Sequence, residues 1–149
     1  MTGISVFDVA RYILQREGTM SAIKLHKLVY YSQAWSLVWD ERLLFPNAIE
    51  AWAKGPVVPE LYQVHSGKFS VSVTDIPGHP ERLDNTARET LDAVLDFYGV
   101  HTAQWLSDLT HNENPWRQAR VGVPDGMQSH ALITPAAMHA YYSSLPDNE

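Results

Sequence analysis

Cysteine is absent from this 149-residue chain. Its absence rules out disulfides, thiolate metal sites and a cysteine nucleophile, and it suits the reducing cytoplasm. Long apolar runs are missing too. None approaches the roughly 20 residues that a membrane span requires, so no membrane association is expected. The opening stretch MTGISVFDVARY lacks a basic region followed by an apolar core, so no secretory signal is expected there. Positive charge is scarce: 11 Lys and Arg face 17 Asp and Glu, a net charge of −6. Acids and bases balance from Met1 to Glu60, so the deficit falls in the remainder. Nucleic-acid binders ordinarily carry a basic footprint, and the chain as a whole shows none.

What is present suits one folded domain. Hydrophobic residues make up 45% of the chain and aromatics 11%. At this length a domain buries roughly 70% of its unfolded surface. Ser5 and Asp8 read as a capping box that opens a helix, and Gly18 reads as its stop. A second helix is expected from about Ser21 to Trp39. Its apolar residues, including Leu25, Leu28, Val29, Tyr31, Trp35 and Val38, cover much of the circumference, the pattern of a central buried helix. Residues 49–53, AIEAWA in context, alternate as a short strand, and residues 69–74 are weakly strand-like. The stretch KGPVVP between strand and helix reads as a stiff connector, because Pro56 and Pro59 fix φ and Gly55 tolerates unusual φ. Pro59 suits a helix start. Thr86 and Glu89 read as a second capping box, Thr102 as the cap of a helix reaching His111, and Thr134-Pro135 as the opening of the last helix. A further short helix is expected at NPWRQAR. The fold class is therefore mainly α (α+β): a compact helical domain with a small β element around 49–53 and 69–74.

Catalytic motifs are not evident. His111-Asn-Glu113 has the H-x-E shape of zinc deaminases, but the C-x-x-C those enzymes need is impossible here. The other histidines show no ligand-like pairing in sequence. No P-loop or nucleophile elbow occurs. No catalytic residue, cofactor or metal ligand is therefore assigned, and the expectation is a protein that is not an enzyme. The first two helices match the outline of a helix-turn-helix, with Lys24, His26 and Lys27 where bases would be read, although KLHKLVYYSQAW is too apolar for a helix lying in a groove. The acids Glu89, Asp92 and Asp96 share a helix face. Such a stripe is ordinarily solvated, or it receives a basic partner.

Three blocks carry a family resemblance. KLHKLVYYSQAW, LLFPNAIEAWAKGPVVPELY and LTHNENPWRQAR resemble, in order, the signature blocks of the Panacea domain, the SocA-like antitoxin family, which includes phage-associated (GepA-like) proteins. The likeness runs from about Phe7 to Arg120, and a single domain over residues 1–149 is expected. The resemblance implies the antitoxin of a bacterial toxin–antitoxin pair, with a cognate protein toxin, encoded by the adjacent gene, as partner. It also implies direct protein–protein neutralisation as the usual mode. Two alternatives accompany it: delivery of the toxin to the ClpXP protease, and autorepression through operator DNA. An acidic antitoxin suits a toxin that handles RNA or nucleotides with a basic groove. The expected partner-binding residues are Trp52, Lys54, Gly55, Pro56, Val57 and Glu60 of the middle block. Arg117 and Arg120 of the third block join them, together with Glu89, Asp92 and Asp96. Trp116 reads as a core anchor, with Arg117 and Arg120 more exposed.

Overall fold

The first helix, α1 (Val6–Glu17), begins where Ser5 accepts a hydrogen bond from the Asp8 N–H while the Asp8 carboxylate accepts one from the Ser5 N–H. This is the expected capping box. Gly18 stops the helix with φ 89°, and its N–H returns to the Leu14 carbonyl. The structure, a computed structural model, describes residues 3–146. A two-residue strand, β1 (Met20–Ser21), leads into α2 (Ala22–Trp39), which Ser21 caps through the Lys24 N–H. From Leu25 to Leu37 every residue of α2 except Trp35 is buried. A helix apolar on all sides must be surrounded, and α1 together with three later helices, α4 (Asn85–Tyr98), α5 (Ala103–His111) and α7 (Pro135–Ser143), packs against it.

The chain then forms a hairpin. β2 (Glu50–Trp52) pairs antiparallel with β3 (Gly55–Val57), with Ala51 opposite Pro56 and Trp52 opposite Gly55. Residues 131–133 run along the other side of β2: the Ala51 N–H reaches the Ala131 carbonyl, and the Ile133 N–H reaches the Ile49 carbonyl. Within KGPVVP, Gly55–Val57 is thus a strand, so the stretch is more than a connector. Val58 then leads into α3 (Pro59–His65), whose first position is Pro59. The strand expected over 69–74 shrinks to β4 (Ser70–Val71), which pairs with β1. Beyond it, Ser72 and Asp75 cap one another and curl Val73–Asp75 into a 3₁₀ turn.

A second 3₁₀ turn, Pro80–Arg82, precedes α4 (Asn85–Tyr98). Its cap is Asp84, not the expected Thr86. A carboxylate two residues earlier takes the Ala87 N–H, and the helix dipole favours that negative charge. Then come α5 (Ala103–His111), capped by Thr102, and α6 (Asn114–Ala119), with Pro115 in its first turn. The last helix, α7 (Pro135–Ser143), is capped by Thr134 and buries Met138 and Tyr142. The domain is mainly α with two small antiparallel ribbons. No helix among the described residues is long and apolar enough to cross a membrane.

Candidate partner-binding face and its buried support

The three sequence blocks converge on one junction behind the β2–β3 hairpin. Lys27 from α2, Gly55 from β3 and Thr110 from α5 meet there: a Cβ on Gly55 would lie 2.4 Å from Lys27 Cε and 3.3 Å from Thr110 Oγ1. With φ 123°, Gly55 also holds a backbone conformation that side chains disfavour. Lys27 is 1% exposed. Burial alone pushes its ammonium down to about 8, because desolvation penalises the charged form.

Two side chains of the third block pin the hairpin from below. The Trp116 indole N–H donates to the Trp52 carbonyl at 2.9 Å. Arg120 donates to the carbonyls of Ala51, Pro124 and Met127 and lies 5.0 Å from the Trp116 ring centre. Arg120 is 4% exposed, so its expected place on the surface is corrected. Its five donors suit a cluster of carbonyls better than solvent does. Arg117 is exposed, and Trp116 is buried as expected.

A second buried network links α2 to α6 and α7. Tyr31 and Tyr142 both donate to Glu113 Oε1, at 2.7 Å and 2.6 Å. Tyr142 spends its proton on Glu113, so it accepts from Tyr30 at 3.0 Å. Burial raises the Glu113 carboxyl, and the two tyrosine bonds oppose that rise. His111 lies apart from this carboxylate, stacked on Trp116 at 4.2 Å. No group of three or more metal-ligating side chains converges among the described residues.

The histidines do form one pair that spacing did not reveal. His26 Nε2 and His65 Nε2 are 2.8 Å apart. The Val58 N–H donates to His26 Nδ1, so the His26 proton sits on Nε2 and donates to His65 Nε2. His65 then carries its proton on Nδ1, which has no hydrogen-bond partner of proper geometry. Burial holds His26 well below the usual imidazole range, with His65 and Lys27 adding to the effect. Burial lowers His65 as well.

Outside this support lies an open pocket of about 340 Å³, lined by His26, Lys27, Trp52, Lys54, Val57, Tyr62 and His65 among others. Trp52 and Tyr62 meet edge to face at 5.1 Å on its wall. The structure sorts the expected partner-binding residues accordingly. Trp52 is half-buried, Lys54 and Glu60 are exposed, and Gly55, Pro56 and Val57 are buried. Val57 lines the pocket, whereas Glu60 accepts from Asn47. Tyr62 is 40% exposed. On α4, Asp92 and Asp96 are not a free stripe: Arg16 of α1 bridges both, and Tyr12 donates to Asp92. Glu89 remains exposed. The helix-turn-helix outline does not present its bases either, since Lys27 and His26 are buried and Lys24 donates to the Gly99 carbonyl.

The family model for the SocA-like antitoxin, Panacea domain, matches residues 25–117. The chain belongs to this family. The matched segment of the Panacea domain contains Lys27, Gly55 and Thr110, and so contains the junction. No curated protein and no solved structure gives a significant match to the chain. Family membership gives the protein an antitoxin-type character, and a protein toxin is the partner class that follows from it.

Proposed function

We propose that this Panacea domain neutralises a cognate protein toxin by direct binding, and that the outer face of the β2–β3 hairpin and α3 makes the contact. The supporting observation is the hairpin's construction. Two segments distant in sequence brace it from behind, α2 through Lys27 and the third block through Trp116 and Arg120, while Trp52, Lys54 and Tyr62 remain accessible on its outside. A braced face loses little entropy on docking, and aromatic side chains tend to dominate interface energy. The mechanism is occlusion: the bound antitoxin covers the toxin's working surface.

Co-expression with the neighbouring gene tests this reading. That gene alone should arrest growth, and this chain should restore it with the toxin level unchanged. A toxin level that falls in a ClpXP-dependent manner would replace occlusion by delivery. A neighbouring product that is harmless, or whose harm persists, would overturn the reading. The paired change Trp52→Ala and Tyr62→Ala should weaken capture of the toxin without unfolding the domain.

A further inference from the structure

The pocket under the hairpin contains a cation without a counter-ion. Lys27 lines it, is 1% exposed, and has no hydrogen-bond or ion-pair partner among the described residues. A lysine so deeply buried is almost always paired. Charge among the lining residues is one-sided; the carboxylate of Glu50, which accepts from the Trp52 indole, lies outside the lining. Lys54 stands at the rim, His26 and His65 contribute neutral rings, and no Asp or Glu belongs to the lining. In a chain of net charge −6, a cavity free of carboxylates is a local reversal of sign, and it attracts an anion.

The geometry also selects among anions. A phosphate is commonly met by several N–H groups, at a helix start or in an arginine fork. Here the one buried cation of the lining is Lys27, and the walls are aromatic or aliphatic, from Trp52, Tyr62 and Val57. One ammonium balances one carboxylate, and the walls suit the carbon stem behind it. We propose that this pocket is a carboxylate-binding site, with Lys27 Nζ as the counter-ion and Trp52 and Tyr62 flanking the stem. The His26–His65 pair forms its neutral inner wall, since the Val58 N–H fixes the His26 tautomer and the two facing nitrogens share one proton. Lys54 draws the anion towards the mouth. The site shares Trp52, Lys54 and Tyr62 with the proposed toxin-binding face but does not require that reading: its carboxylate comes either from a free organic acid or from a peptide, and direct binding tests on the purified chain separate these from any effect on growth.

Benzoate serves as the first probe, titrated into the isotope-labelled full chain at constant ionic strength and followed by NMR at Lys27 Cε. Saturable shifts at Lys27 and at the Trp52 indole are expected. Benzamide, which has the same shape without the charge, should bind roughly ten- to a hundredfold more weakly, the range of a lost charge-assisted contact, and inorganic phosphate, which leaves its other oxygens against apolar walls, should also bind more weakly. Lys27→Met should melt above the wild type, because it removes a lone buried charge, and should still lose benzoate binding by a similar factor. Retained folding therefore separates loss of the site from loss of the structure. Lys54→Ala should weaken binding by a smaller factor. Two short peptides then identify the source, one with a free C-terminal carboxylate and one amidated with a single internal Glu. Binding of either peptide assigns the site to peptides, and binding of benzoate alone assigns it to free acids. Absence of saturable benzoate binding, equal binding of benzamide, tighter binding of phosphate, or undiminished binding by Lys27→Met would each overturn the proposal.

Discussion

Lys27 lies hard against the α-carbon of Gly55: a Cβ there would meet Nζ at 2.7 Å and Cε at 2.4 Å. The contact joins the centre of the fold to the hairpin that faces outward. Gly55→Ala should therefore lower stability by roughly 2–4 kcal/mol, from the strain of a side chain at φ 123° together with overpacking against Lys27. Urea unfolding measures it. A Gly55→Ala protein as stable as the wild type would show that the hairpin shifts freely away from α2.

The same lysine gives an alkaline signature. Its folded-state pKa lies at about 8, and in the unfolded chain it returns to about 10.4. Between those values the unfolded state holds the extra proton, so stability rises with pH. Unfolding free energy should climb by up to about 3 kcal/mol from pH 8 to 10. Lys27→Met should flatten that rise. Above pH 10 the buried tyrosines Tyr30, Tyr31 and Tyr142, whose hydroxyls burial pushes up, reverse the trend.

On the acid side the His26–His65 pair governs. Both rings have folded pKa values below the ordinary 6.5. The stability they contribute is present above pH 6.5 and declines as pH falls below it, when protonation of the unfolded chain begins to win. Lys27 faces His26 and His111 and reinforces the effect. Glu113, whose carboxyl burial raises, contributes in the opposite sense near its own range. Melting curves in the Glu113→Gln background should isolate the histidine decline. A midpoint constant from pH 7 to 5.5 in that background would contradict the neutral pair.

Glu113 anchors α6 to α2 and α7 through two tyrosine hydroxyls. Glu113→Gln keeps an acceptor oxygen and removes a buried charge, so stability should change by less than about 1 kcal/mol. Glu113→Ala strands both hydroxyls and should cost roughly 2–4 kcal/mol. Tyr31→Phe and Tyr142→Phe should couple to Glu113 in double-mutant cycles.

The neighbouring arginines should separate cleanly. Arg120→Ala removes donors to three carbonyls, that of Ala51 buried, and a cation over Trp116, at a cost of roughly 2–4 kcal/mol. Arg117→Ala, at an exposed position, should stay within about 0.5 kcal/mol. Arg120→Lys should not rescue, since an ammonium cannot span the same acceptors.

The features legible in the sequence are those decided within one turn of chain. Ser5, Ser21, Thr102 and Thr134 each cap a helix by reaching a backbone N–H three residues on. The circumferential apolar pattern of α2 marked it as central, and the order of the blocks marked the family. The missed features depend on distant segments. Residues 55–57 become a strand only because β2 and residues 131–133 supply partners for the ribbon. His26 meets His65 across 39 positions, and Arg120 meets Ala51 across 69. The burial of Lys27 left no local trace, because its aliphatic stem follows the helix pattern like any long side chain. Its periodicity matches that of a leucine, and only the tertiary packing reveals the charge inside.

A helix enclosed along most of its length, as α2 is from Leu25 to Leu37, has little surface of its own to offer beyond the pocket wall. Whatever distinguishes one relative's partner from another's must then be carried by the outer elements, above all the hairpin and the short helices beyond it. The enclosed axis can stay unaltered while those elements diverge.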